Sequence, residues 1–172
     1  ANNFAALNER HKTFLPFIAA LICGSVGVFL PEILGLGIGA INDLIAGNIS
    51  LMKVSMLLIA KISMTALCIG FGLFGGIFSP ALFIGVSAGS LAAGFFAAIG
   101  YPDLAQVIII SGMAAVAASV IGAPITSVLI VLELTGSYEY GVAAMVDVII
   151  SSLVIYRAFG LSFFDRQLLD RG

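Results

Sequence analysis

Residues 104–132 read LAQVIIISGMAAVAASVIGAPITSVLIVL, a run without a single Asp, Glu, Lys or Arg. It is too long for one upright membrane helix, because about 20 apolar residues already cross a ~30 Å hydrocarbon core. The run is broken at Gly122-Ala123-Pro124. Proline suits the first turn of a helix, where its missing N–H would be unpaired in any case. The spacing therefore predicts two helices, Leu104 to Ile121 and Pro124 to Thr135, the second shorter than a bilayer. Broken helices at membrane depth persist only where protein buries them or where they line a hydrated cavity. That pattern belongs to transporters more than to anchors.

Working outward, four more apolar stretches appear: Phe14 to Leu30, Leu51 to about Phe74, Ile77 to about Ile99, and Val142 to Tyr156. Of the 172 residues, 61% are hydrophobic and 9% charged, against roughly 25% charged in soluble domains. Too little charge is present to cover a soluble surface, so a polytopic membrane chain is expected. The net charge of −2 and the lack of a basic stripe exclude a nucleic-acid partner. Arg10, His11 and Lys12 near one end, and Arg157, Arg166 and Arg171 near the other, place both ends in the cytoplasm by the positive-inside tendency. Residues 1–13 read as a polar linker to a preceding helix that the chain lacks, and 1–172 as a single transmembrane unit.

Gly70-Phe71-Gly72-Leu73-Phe74-Gly75 has the form G-x-G-x-x-G. A dinucleotide site needs a strand before it and an acidic residue about 20 positions on. Here an apolar helix-length run precedes it, and the next acidic residue is Asp103, so the glycines are read as packing and turn residues. The following segment, Gly76-Ile77-Phe78-Ser79-Pro80, is more informative. Glycine lets backbone approach closely, and Pro80 suits a first helical turn. A helix starting here presents unpaired N–H groups and the positive end of its dipole. Together these make an anion site without a charged side chain. The residues alone leave that reading level with an ordinary loop-to-helix turn.

Gly76-Ile77-Phe78-Ser79-Pro80 resembles the G-x-F-x-P signature of the CLC family of chloride channels and chloride/proton antiporters. Leu30-Pro31-Glu32-Ile33-Leu34-Gly35-Leu36-Gly37 is similar to the family's P-E-V-L-G-x-G segment. Gly112-Met113-Ala114-Ala115, Ala123-Pro124-Ile125-Thr126 and Val131-Leu132-Glu133-Leu134-Thr135-Gly136 follow in the family's order. The ending, Ser162-Phe163-Phe164-Asp165 through Gly172, resembles its last membrane helix. The resemblance implies an all-α fold of tilted, partly broken helices, the second half of an inverted-repeat membrane domain. It implies that the amides of Ile77 and Phe78, within Gly76, Ile77, Phe78, Ser79 and Pro80, coordinate chloride or a similar small anion. Phe164 falls where most members carry a pore tyrosine, and phenylalanine offers no hydroxyl donor. It implies a homodimer whose contact uses the segments Pro124–Thr135 and Tyr140–Phe159.

Among the ionisable residues within or beside the apolar runs, three bear on the reading. Asp147 stands mid-stretch, where a carboxylate costs roughly 2.5–3.5 kcal/mol on insertion scales. A polar cavity or a basic partner at an interface accounts for it better than a proton relay. Lys61 lies near the middle of its stretch, and members of the family often carry Lys or Arg there, which implies a structural or field-shaping role. Glu133, near the end of a short helix, is read as structural. Cys23 and Cys68 are read as buried thiols packing as small hydrophobes, with no disulfide and no metal-ligand spacing around them. Gly85, Gly89 and Ala93 permit close helix contact. Asn48-Ile49-Ser50 has the form of a glycosylation sequon and is assigned no role.

No nucleophile–base constellation is present, and the single histidine, His11, sits in a terminal charged patch. The expectation is therefore a multi-pass protein of a bacterial inner membrane that is not an enzyme, has no metal or cofactor, and takes chloride as bound substrate. The first half of such a domain, with its G-S-G-I-P and G-x-E-G-P segments, is absent from these residues. Transport is expected to need that half. Two other readings stand beside it: a membrane-embedded assembly or scaffold module, and a different broken-helix secondary transporter.

Overall fold

The computed structural model describes residues 15–35, 37–71 and 76–160. Among the described residues the secondary structure is helical: α1 (Leu15–Phe29), α2 (Ile38–Ile45), α3 (Leu51–Gly70), α4 (Phe78–Ala98), α5 (Ala105–Ile121), α6 (Pro124–Thr135) and α7 (Tyr138–Phe159). Two single 3₁₀ turns, Pro31–Ile33 and Pro102–Leu104, lead into α2 and α5. The segments Leu51–Gly70, Phe78–Ala98, Pro102–Ile121 and Tyr138–Ala158 are long and apolar enough to cross a membrane. The chain is an all-α, multi-pass integral membrane protein.

The break in the long uncharged run falls where the sequence puts it. Gly122 has φ +72° and closes α5, its N–H donating to the Ala118 carbonyl at 2.9 Å. Only glycine adopts that left-handed backbone readily. Pro124 is the first residue of α6, as expected. At 1.5 Å per residue the 12-residue α6 is roughly 18 Å long, too short to span. Helix α2 carries no signal in the apolar runs and was not expected from them. It is eight residues long and buries Ala40 and Leu44.

The centre of the fold is the crossing of α4 and α5. A Cβ built on Gly85 would lie 2.6 Å from the Gly112 carbonyl oxygen and 2.7 Å from Met113 Cα. One on Gly89 would lie 2.8 Å from Ile109 Cα, and one on Gly112 would lie 2.8 Å from the Gly85 oxygen. The two backbones touch, so the small-residue stripe expected from the sequence is the contact itself. Around it pack Phe83, Val86, Ile109, Ile110 and Met113, all buried. Helix α7 closes on α5 through Ala144 and Val148. The Ser151 hydroxyl donates to the Ala115 carbonyl at 2.7 Å, and the Ser119 and Ser151 hydroxyls bond each other across the same seam.

Outside this core many large apolar side chains are exposed, including Ile59, Phe95, Ile125, Leu129, Ile149 and Leu153. Such a surface suits hydrocarbon better than water, since lipid makes no demand for polar cover.

Gly89→Val should break the α4–α5 contact, because the new atoms meet backbone that cannot swing aside. Overpacking of this kind costs typically 1–3 kcal/mol, and thermal unfolding in detergent should show a clear loss. Gly24→Ala, with nothing within 4 Å of the new Cβ, should unfold at or slightly above the wild-type temperature. Equal effects of the two substitutions would contradict the packing described.

Candidate functional site

The start of α4 is where the segment Gly76–Pro80 acquires its geometry. Ile77 is the cap, with φ −75° and ψ −19°, and its carbonyl accepts the Ala81 N–H at 3.1 Å. The first helical turn is Phe78-Ser79-Pro80. N–H groups in a first turn have no acceptor within their own helix. Among the described residues no backbone acceptor pairs with the N–H of Ile77 or Phe78. Proline at position 80 has no N–H to leave unpaired.

This helix start stands between two cavities. One, of about 400 Å³, is lined by Gly76, Ile77 and Pro80 together with Ile33, Leu34 and Gly35, and with Lys61, Thr65 and Cys68 of α3. The other, of about 220 Å³, is lined by Phe78, Ser79 and Leu82, with Asn42 of α2 and Leu134 of α6 among its other walls. The five residues singled out from the sequence therefore face two spaces. Gly76, Ile77 and Pro80 share the larger, and Phe78 and Ser79 the smaller. Phe164 lies outside the described residues, as do Gly72 to Gly75 and the charged residues at both ends except Arg157.

Lys61 is the charged group of the larger cavity, and it is 4% exposed. Its ammonium does not snorkel outward. Nζ donates to the Ile33 carbonyl at 2.6 Å and to the Gly35 carbonyl at 3.3 Å. It also sits 4.9 Å from the centroid of the Phe83 ring, a cation–π arrangement. The loop it grips is held from the other side by Gly37, whose φ of +66° and whose contact with Phe83 (an added Cβ would meet the ring at 2.9 Å) leave room only for glycine. One lysine thus ties the Pro31–Gly35 loop to α3 and places a positive charge beside the start of α4. The sequence marks the residue but not its carbonyl partners, which lie 26 and 28 positions away.

The same loop carries Glu32, which accepts a 2.7 Å hydrogen bond from Lys53. That bond, then a backbone N–H bond at Glu32, holds its carboxyl below the ordinary value of 4.5, with the Lys53 charge adding to the effect.

The remaining expectations fall elsewhere. Pro124 is exposed at the head of α6, and Thr135 bonds back to the Val131 carbonyl at its end. Tyr140 is turned toward α5, its hydroxyl donating to Gln106 Oε1 at 2.7 Å. Phe159 is the last residue of α7. The outer faces of α6 and α7, with Ile125, Leu129, Val146 and Ile150, are exposed and apolar. Asp147 is half-buried on α7 and has no ion pair among the described residues. Glu133 is exposed. Cys23 and Cys68 are half-buried, where the sequence suggested buried thiols packing as small hydrophobes, and their Sγ atoms are 3.2 Å apart.

A family described as voltage gated chloride channel matches residues 1–156. The chain is similar to the H(+)/Cl(-) exchange transporter ClcA of Vibrio campbellii, 32% identical over 99% of this chain and 37% of the relative. The Vibrio vulnificus transporter of the same name is 35% identical over 98% of this chain and 37% of the relative. That of Salmonella agona is 37% identical over 69% of this chain and 25% of the relative. The chain spans little more than a third of the length of these curated relatives. It belongs to the voltage gated chloride channel family.

Lys61→Met should leave the Ile33 and Gly35 carbonyls without their donor, at a cost of about 1–3 kcal/mol, with Lys61→Arg closer to wild type. A thermal midpoint for Lys61→Met equal to wild type would contradict the anchoring role. The Glu32–Lys53 bond should follow pH in a definite sense. Because the folded carboxyl is lowered, its contribution is complete above about pH 4.5 and is lost as pH falls through the folded value. With Lys53 48% exposed, the whole effect is at most about 1 kcal/mol. The stability difference between wild type and Lys53→Met should be flat at neutral pH and shrink in acid.

Proposed function

We propose, on the premise of this family membership, that the chain forms one half of a membrane pathway for chloride or a similar small anion, and that the anion is held at the start of α4. The observation that carries the reading is that the Ile77 and Phe78 N–H groups have no backbone acceptor among the described residues, on a helix start that lines two cavities. A helix N-terminus of this kind attracts an anion through its amides and its dipole, equivalent to about half a positive charge.

The chemistry suits passage rather than capture. A halide that loses part of its water must be compensated, or it does not enter. A full ammonium in contact would compensate it too well and slow its departure. Lys61 is partly engaged elsewhere: two of its three N–H donors are directed at the Ile33 and Gly35 carbonyls, which reduces its grip on an ion in the same cavity. Amides at the helix start then supply weak, directional contacts that form and break without proton transfer.

The relatives are named proton/chloride exchange transporters, which supports transport rather than catalysis for the protein to which this segment corresponds. The rest of the pathway is assigned to the first half of such a membrane domain, to which the given residues do not correspond, and a homodimer contact to the exposed apolar faces of α6 and α7. A bacterial inner membrane is the location these relatives suggest.

Ile77→Pro is the pointed test, because the native φ of −75° already fits proline, which removes the N–H together with the isoleucine side chain. Losing one hydrogen bond to a charged group, worth about 1.5–3 kcal/mol, should weaken halide binding roughly 10- to 150-fold. The measurement is calorimetric chloride titration, with chloride efflux from liposomes carrying this chain and a first-half fragment of a relative. Ile77→Ala, which keeps the amide, should stay near wild type. Unchanged affinity in a folded Ile77→Pro protein would remove the helix start from the pathway.

A further inference from the structure

We propose that Cys23 and Cys68 are a reversible dithiol–disulfide site that staples α1 to α3 on the wall of the larger cavity. The two thiols lie 45 positions apart in sequence, yet their sulfurs approach to 3.2 Å, and Cys23 Sγ also lies 3.6 Å from Met64 Sδ. Met64 and Cys68 are one helical turn apart, so both occupy the face of α3 that α1 meets. Both cysteines are half-buried and line the cavity, which gives a small reagent access to them.

A disulfide has an S–S length of about 2.04 Å, so the sulfurs need to close by roughly 1.2 Å. Helix α1 is the more lightly packed of the two, since α3 is also held against α4. Ala19 and Gly27 are its buried residues among those described, Gly27 lying against Leu34, while Phe17, Leu21, Val28 and Phe29 are exposed. The helix meets both α3 and the Pro31–Ile33 turn, and Cys23 faces Cys68 where it meets α3.

The step is a two-electron oxidation, and the co-reactant is a membrane-permeant azo or quinone oxidant. The S–H bonds of Cys23 and Cys68 break and one S–S bond forms. Both electrons and both protons pass to the oxidant, giving the hydrazine or the quinol. A dithiol reductant reverses the step. The bridge draws α1 inward along the same cavity that holds Gly76, Ile77 and Pro80, so the redox state of the pair reaches the start of α4. The chemistry stands independently of which ion uses that cavity.

The test is thiol counting by mass spectrometry after maleimide labelling of the chain in lipid vesicles, with diamide as oxidant. The reduced chain should take two labels. The oxidised chain should take none, should lose two hydrogens within one chain, and should regain both labels after reduction. Bridging should run at least about tenfold faster than in the detergent-unfolded chain, where the pair meets only at the millimolar effective concentration of a flexible loop. Cys23→Ser and Cys68→Ser should each keep one reactive thiol under the same oxidant. Two labels after oxidation, a bridge found only between chains, or a rate no faster than in the unfolded chain would each overturn the proposal. So would full protection in either serine variant.

Discussion

The contact between the backbones of α4 and α5 at Gly85, Gly89 and Gly112 is the constraint on which the rest of the structure depends. Two spanning helices in lipid gain little by hiding apolar side chains from one another, because lipid tails are apolar too. What holds them is close van der Waals contact and the polar groups they satisfy. Here the glycines bring main chain against main chain, with carbonyl and Cα atoms of each helix in the position a side chain would otherwise take. That approach seats Phe83 and Val86 of α4 against Ile109, Ile110 and Met113 of α5. Helix α7 then packs onto α5, and the Ser119–Ser151 pair satisfies two hydroxyls in the seam.

The position of the α4 start follows from this contact. With α4 fixed from Gly85 onward, its first turn is held two turns away, at the edge of the packed core rather than at a frayed end. Phe83, fully buried, extends this control in two directions at once: its ring lies under the Lys61 ammonium and against Gly37. The loop of Pro31–Gly35, the lysine of α3 and the first turn of α4 are therefore coupled through one aromatic side chain. A lysine buried among apolar helices is costly unless its donors are taken up, and two loop carbonyls take up two of the three. The result is a charge fixed in place by backbone, beside a helix end that offers amides.

Much of the fold was legible in the residues. The uncharged run to Leu132 and its Gly122–Pro124 break located α5 and α6 to within a residue, because a left-handed glycine and a first-turn proline are local requirements of the backbone. The small-residue spacing of Gly85, Gly89 and Ala93 announced a close helix contact without naming the partner. Gly112 proved to be that partner, and nothing in the spacing pairs positions so far apart. Helix α2 left no trace in the apolar pattern. It is short, and tertiary packing of Ala40 and Leu44, rather than composition, accounts for it.

The candidate site divides in the same way. By itself the sequence determined that the chain spans a membrane, that a helix begins at about Phe78 with glycine before it and proline within its first turn, and that no charged side chain lies in that segment. These are consequences of composition and of short-range backbone chemistry. Only the tertiary structure decided that Lys61 turns inward to the Ile33 and Gly35 carbonyls, that the five residues from Gly76 to Pro80 divide between two cavities, and that Cys23 meets Cys68. Each of these joins groups separated by tens of residues, and such distances are set by how helices cross, which no local pattern in the chain encodes.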